Sequence, residues 1–256
     1  MSKVPVKSAG TFVRWELMTT TAPAAKEFYQ RLFAWQMDDE ELADGVIYTH
    51  LRHSHRRFGG LYPMSVELAA RPAAAHWLPY VGVADVDTAL AAAKGQGAKV
   101  TAESFGFADL GHMALIQDPT GAPLGLWQDA HASTTSPASL AWHELSTHNA
   151  EVATQFYQQM FDWQAESEGQ GPINIKMFTV GARPVAAMIT LSTRFQAVPA
   201  HWLPYFQVED IELAVAAIKA GGGRLLAAPV SHIWGAQAVA QDPQGAVFGV
   251  MTSTAH

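Results

Sequence analysis

Phe28-Tyr29-Gln30 recurs as Phe156-Tyr157-Gln158, 128 positions further along the chain. At the same offset Glu16-Leu17-x-Thr19 matches Glu144-Leu145-x-Thr147, and Phe33-x-Trp35 matches Phe161-x-Trp163. His76-Trp77-Leu78-Pro79-Tyr80 returns as His201-Trp202-Leu203-Pro204-Tyr205, and Gln117-Asp118-Pro119-x-Gly121-Ala122 as Gln241-Asp242-Pro243-x-Gly245-Ala246. Blocks in constant order with slowly drifting offsets are the mark of a duplicated domain. The period is too long for a solenoid unit. Two similar domains, 11–128 and 139–252, are expected on either side of a small, polar linker at 129–138.

The 256 residues are 49% hydrophobic and 15% charged, enough to bury a core in each copy. The net charge of -7 disfavours a nucleic-acid partner, because phosphate contacts need a basic face. No apolar run approaches the roughly 20 residues that span a bilayer, and the first residues lack the apolar centre of a signal peptide. Cysteine is absent, which removes disulfides and thiolate chemistry and fits a cytoplasmic protein. A small-molecule partner is left as the expectation.

Within one copy, Phe12–Thr19 reads as a strand. Ala25, Phe28, Tyr29, Leu32 and Phe33 then follow at helical spacing, a stripe assigned to the core. Asn149 is a good cap for the equivalent helix, whose stripe is Ala153, Phe156, Tyr157, Met160 and Phe161. Val46–Leu51, Phe58–Met64 and Leu78–Val83 read as strands. Asp85 caps a second helix that ends at Gly95 and Gly97, and two strands follow, turning at Asp118-Pro119-Thr120-Gly121. A helix followed by several short strands, repeated, predicts an α+β fold with a curved, mostly antiparallel sheet.

Three signatures in each copy carry a resemblance: Phe28-Tyr29-x-x-Leu32-Phe33-x-Trp35, Val83-Ala84-Asp85-Val86-Asp87 and Asp118-Pro119-x-Gly121. From about residue 11 to 251 the chain resembles the vicinal-oxygen-chelate superfamily of glyoxalases, bleomycin-resistance proteins and extradiol dioxygenases. The His-Trp-Leu-Pro-Tyr block resembles its two-domain, glyoxalase-like bacterial subgroup. The resemblance implies tandem domains, each of two βαβββ modules whose sheet forms a cup. It also implies a divalent metal held by His, Gln or Glu from three strands. Those ligand positions fall on Arg14 and Trp142, on Leu78 and Leu203, and on Gly125 and Gly249. None offers a suitable side chain. A one-residue slip recovers His143 alone, so no metal and no other cofactor is expected, a divalent metal entering only with the enzyme alternative below.

Alternation along a strand then sets the candidate lining. Arg14, Glu16, Tyr80, Trp142, Glu144, Tyr205 and Gln207 are expected to face the cup, with Trp15, Leu17, His143 and Leu145 behind. Glu16 and Glu144 are the candidate catalytic acids or bases, and an aromatic wall with a carboxylate suits a cationic ligand. Glu16 could equally serve only to pair with Arg14. His50, His53 and His55 are read as a solvated hairpin tip, and His76 and His201 as backbone-bonding groups. His112 and His232 have no counterparts between the copies. Gly221-Gly222-Gly223 punctuates a helix end, and no phosphate-binding loop or serine elbow is present.

The leading expectation is metal-free binding of a small organic molecule, for sequestration or sensing. The alternatives are a lyase or dioxygenase-like enzyme with an unconventional site, and an interaction module with filled cups. A monomer holding a pseudo-dimeric domain pair, or a homodimer, is expected.

Overall fold

A computed structural model describes residues 10–42, 45–54, 56–64, 75–107, 110–130, 140–168, 175–232 and 235–252. His55 and most of the expected linker lie outside the described residues. The first copy runs β1 (Phe12–Thr19), α1 (Ala22–Phe33), β2 (Gln36–Glu41), β3 (Ile47–His53), β4 (Arg56–Pro63), β5 (His76–Gly82), α2 (Val86–Gly95), β6 (Lys99–Phe107), β7 (Gly111–Gln117) and β8 (Pro123–Asp129). The second copy repeats it: β9 (Leu140–Thr147), α3 (Ala150–Phe161), β10 (Gln164–Glu168), β11 (Ile175–Val180), β12 (Arg183–Thr190), β13 (His201–Gln207), α4 (Ile211–Ala220), β14 (Arg224–His232), β15 (Gly235–Gln241) and β16 (Val247–Met251). Each copy is thus βαβββ twice over, and the fold is α+β as expected.

The two eight-stranded sheets are ordered β2-β3-β4-β1-β5-β8-β7-β6 and β10-β11-β12-β9-β13-β16-β15-β14. They are mixed: β1–β4 and β5–β8 pair in parallel, while β2–β3, β3–β4, β6–β7 and β7–β8 pair antiparallel. β2 was not foreseen. Its sequence Gln-Met-Asp-Asp-Glu-Glu is almost wholly exposed and shows no apolar alternation, because it is an edge strand with no core side.

The helix ends follow from local chemistry. The Asp85 side chain accepts from the Thr88 N–H at 2.7 Å, and the Asn149 side chain from the Val152 N–H at 3.1 Å. Asp210 caps α4 through the N–H groups of Glu212 and Leu213. Thr21 precedes α1 without a side-chain cap, and Pro23 supplies the fixed first turn instead.

Compactness divides the chain across its copies. One unit comprises Met1–Val13, Pro79–Ser136 and His143–Trp202, and the other Arg14–Leu78, Pro137–Trp142 and Leu203–His256. Each unit therefore joins a module of one copy to a module of the other. In the second unit the Tyr29 hydroxyl, fully buried on α1, donates to Asp242 Oδ2 at 3.0 Å and accepts from Trp77 Nε1 at 3.0 Å. In the first, Tyr157 on α3 donates to Asp118 Oδ2 at 2.9 Å and accepts from Trp202 Nε1 at 2.9 Å. The other oxygen of each aspartate holds its own turn. Asp118 Oδ1 accepts from the Thr120 and Ala122 N–H groups, and Asp242 Oδ1 from those of Gln244 and Ala246. Burial and the adjacent carboxylate raise both tyrosine pKa values well above the ordinary phenol, so both remain donors.

Aromatic packing backs these contacts. In the second unit Phe33 and Trp35 lie 5.2 and 4.8 Å from Phe206, and Phe28 lies 6.0 Å from Phe248. In the first unit Phe12 stacks on His143 at 4.1 Å and meets Trp202 edge-on at 5.0 Å. Each buried ring of this size contributes about 1.5–3 kcal/mol through removal from water. The stripe is core, as its spacing predicts.

Candidate ligand-binding site

On β1, Glu16 alternates with the fully buried Trp15 and Leu17 and is itself only 1% exposed. A carboxylate at such a depth needs partners. Arg14, two residues earlier on the same side, places its guanidinium 2.5 Å from Glu16 Oε1. The Tyr48 hydroxyl on β3 donates to the same oxygen at 2.8 Å and accepts from Arg14 at 2.5 Å. Glu16 therefore does pair with Arg14, but inside a three-residue cluster.

Register explains how Tyr48 arrives there. Glu16 lies opposite Gly60 on β4, and Gly60 opposite His50 on β3. A Cβ at position 60 would overlap the Tyr48 hydroxyl, so only glycine lets the phenol cross β4 to reach Glu16. Tyr62, half-buried on β4, stacks near Tyr48 with ring centroids 6.3 Å apart. Its pKa is raised by burial and then by the charge of Glu16, as is that of Tyr48. Both phenols are donors at neutral pH.

His50 belongs to this face. It is 4% exposed, and its Nε2 lies 2.5 Å from Glu40 Oε2. The reading of His50 as part of a solvated tip is therefore corrected. Its alternation with Thr49 and Leu51 turns it inward beside Tyr48, whose ring it meets edge-on at 4.9 Å. Tyr48, His50 and Tyr62 were missed among the candidates. The signal was the Gly59-Gly60 pair, which stands where the second copy has Ala186-Ala187.

The second copy carries a different set. Glu144 lies opposite Ala187 on β12, and Ala187 opposite Met177 on β11. The next row brings Ile189 opposite both Ser146 and Ile175. Position by position, Ala187 replaces Gly60, Met177 replaces His50, and Ile175 and Ile189 replace Tyr48 and Tyr62. Glu144 is 9% exposed, while Ile175, Met177 and Ile189 are half-exposed. Trp142 is also half-buried. His143 points to the opposite side of β9. Burial lowers its pKa to about 3, so it is a neutral ring in an aromatic stack.

One glycine marks the last strand of each copy. Gly125 lies opposite Tyr80, and Gly249 opposite Tyr205. A Cβ on either glycine would overlap the ring of that tyrosine. Both rings are buried, at 1% and 2% exposure. Gln207 closes β13 and is exposed. His201 Nδ1 lies 2.9 Å from the Pro199 carbonyl oxygen, the backbone role expected of it. His112 is exposed.

These faces, built on βαβββ modules, define a two-domain protein of the paired-module class. The chain belongs to the Glyoxalase/Bleomycin resistance protein/Dioxygenase superfamily, whose sequence profile matches residues 11–126 and 139–250. A Mycobacterium tuberculosis protein named "Putative glyoxylase CFP32" is 32% identical over 255 residues, covering 92% of each chain. The anthracycline biosynthesis protein DauV of Streptomyces sp. strain C5 is 29% identical over 179 residues, 68% of this chain and 65% of that one. Among solved structures, the 2,3-dioxygenase LapB of Pseudomonas sp. KL28 superimposes with TM-score 0.65 at 12% identity, covering 97% of this chain and 94% of that one. The Mn(II)-bound glyoxalase of Novosphingobium aromaticivorans gives 0.62 at 12%, covering 96% and 82%. The last two establish the fold.

The family implies a divalent metal, and the residues present do not fit one. The six expected ligand positions hold a guanidinium, an indole, two leucines and two glycines, and the space beside both glycines is taken by a tyrosine ring. Among the described residues, no group of three or more His, Asp or Glu side chains could hold a metal ion. Also among them, no helix is long and apolar enough to cross a membrane.

Proposed function

We propose that this protein binds a small organic molecule without a metal, on the faces that carry Glu16 and Glu144, for sequestration or sensing. One observation carries the reading: Tyr80 and Tyr205 lie over Gly125 and Gly249, the positions where the resemblance puts a ligand glutamate. A carboxylate cannot be restored there without displacing a buried ring. What remains is hydrogen-bonding and aromatic chemistry on the Glu16 face and aliphatic and thioether surface beside Glu144, both of them usual linings of a small-molecule site. The Arg14–Glu16–Tyr48 cluster is held rigid by its own bonds, and Tyr62 brings a second phenol beside it. The Streptomyces relative's name ties it to the making of a small molecule.

The test is elemental analysis of untagged protein purified without chelators, followed by a thermal-shift ligand screen. Less than about a tenth of an equivalent of any transition metal, with a ligand that raises the melting temperature, is the expected result. About one equivalent of zinc, manganese, nickel or iron overturns the reading. The tyrosine rings also favour one other reading, an interaction module with filled cups. A screen in which no small molecule shifts the melting temperature would point to it.

A further inference from the structure

The two copies treat one equivalent helix differently. We propose that α4 is a docking face for a second molecule of this chain, the two α4 helices packing antiparallel about a two-fold axis. Leu213 of each molecule then covers Ala220 of the other, and Glu212 of each meets Lys219 of the other. The inference stands apart from the ligand-binding reading above.

Val86 of α2 answers to Ile211 of α4, and Lys99 of β6 to Arg224 of β14. In the first copy the charges of α2 are engaged by β6. Lys94 Nζ donates to the two Glu103 carboxylate oxygens at 3.0 and 3.1 Å, and the Ser104 hydroxyl donates to Asp87. In the second copy Glu212 and Lys219 keep the helix charges, but Ala228 and Pro229 stand in place of Glu103 and Ser104. Among the described residues, neither the Glu212 carboxylate nor the Lys219 ammonium has a partner. Leu213 replaces Thr88, and Leu226 replaces Thr101. Leu213 is 71% exposed, the most of any large hydrophobic residue described, and Leu226 is 50% exposed.

Ala214, Val215 and Ile218 turn α4 to the core. Leu213, Ala216, Ala217 and Ala220, at i, i+3, i+4 and i+7, form an exposed apolar stripe on the other side. A two-fold contact requires that residue i meet j and j meet i. An antiparallel α4 pair centred between Ala216 and Ala217 meets that requirement. Leu213 lies over Ala220 at both ends, and the alanines between let the axes approach closely. Glu212 and Lys219, two turns apart, lie on the same flank of the stripe. The two-fold sets that flank beside its own reversed image, so each glutamate meets a lysine and no like charges oppose. On α2 the corresponding charges are already engaged, and Thr88 and Gly95 stand for Leu213 and Ala220. A ten-residue helix is about 15 Å long, so the contact is smaller than a standard interface of about 800 Å² per partner and the dimer is correspondingly weak.

The test is sedimentation velocity of the untagged full chain from about 1 to about 300 μM. A reversible dimer with a dissociation constant of about 10–100 μM is expected. Leu213→Asp should weaken it about tenfold or more, and Thr88→Asp, at the equivalent position of α2, should leave it unchanged. Glu212→Lys and Lys219→Glu should each weaken self-association about fivefold or more, because each sets like charges against one another at both ends. An equimolar mixture of those two variants should recover the association of the wild type, since every lysine then meets a glutamate. Circular dichroism and melting temperature establish that each variant folds, and the Leu213→Asp and mixing arms each decide the matter alone if the other variant does not. A chain that stays monomeric throughout overturns the inference, as does a dimer that ignores Leu213→Asp or that Thr88→Asp weakens equally. A mixture that associates no better than the single variants overturns it as well.

Discussion

Tyr29 donates its phenolic hydrogen to Asp242 Oδ2 across 3.0 Å, joining residues 213 positions apart. Tyr157 and Asp118 make the same contact in the other compact unit. Removing one hydroxyl leaves a buried carboxylate oxygen and a buried indole N–H without their partner. Tyr29→Phe and Tyr157→Phe should each therefore cost about 1–3 kcal/mol in urea unfolding. Asp242→Asn combined with Tyr29→Phe should cost less than the sum of the two alone. Additive costs would show that the pair is not coupled.

Gly60 makes a sharper prediction about the first-copy face. Gly60→Ala places a methyl group on the Tyr48 hydroxyl and forces the phenol off Glu16. The lost bond to a buried carboxylate should lower stability by about 1–3 kcal/mol. In a Tyr48→Phe background Gly60→Ala should remain costly, because the added carbon also overlaps the ring carbons Cζ and Cε2 that phenylalanine keeps, whereas Tyr48→Ser should remove that part of the cost. The reverse change in the other copy, Ala187→Gly, meets no phenol and should cost only the backbone entropy of a strand glycine, about 0.5–1 kcal/mol.

Gly125→Ala and Gly249→Ala should each destabilise the fold by about 1–3 kcal/mol, because the added carbon overlaps the Tyr80 or Tyr205 ring. Gly249→Glu, which writes the family's carboxylate back into the last strand, should melt still lower and should not acquire stoichiometric metal. Metal uptake in that variant would mean that Tyr205 is easily displaced.

His143 governs a pH effect. Its pKa falls from 6.5 to about 3 through burial, so the folded protein keeps the ring neutral while the unfolded chain protonates it. The folded value is the lower one. The contribution is complete above about pH 6.5 and declines as pH falls towards 3, at up to about 1.4 kcal/mol per pH unit. The difference in unfolding free energy between the wild type and His143→Phe, measured at pH 7.5, 6, 5 and 4, should shift in favour of the variant as pH falls. A difference that does not change with pH would mean that His143 is hydrated.

What the sequence made legible follows from what each signal encodes. The duplication, the helix stripes and the caps at Asp85 and Asn149 are local regularities, and they appear in the structure where their spacing puts them. β2 was invisible because an edge strand without a core side has no alternation to read. The repeated Phe-Tyr, His-Trp and Asp-Pro blocks were visible as matches, but their meaning was not. They are one hydrogen-bonded set, assembled from both copies. At the candidate site, alternation correctly placed Glu16 and Arg14 together. Tyr48, His50 and Tyr62 went unread because their approach depends on a glycine one strand away, and register across a sheet is not written in any one segment.

The exchange of modules has a consequence for inheritance. Each tyrosine on α1 or α3 answers to an aspartate encoded in the opposite half of the chain, so neither half can drift at those positions without its counterpart. On the strand faces the copies differ: Gly60 and Ala187, Tyr48 and Ile175, Arg14 and Trp142 have parted. Duplication left the frame under joint custody and each face free to specialise. A chain shortened to one copy would lack the answering partner for its tyrosine and for its aspartate alike.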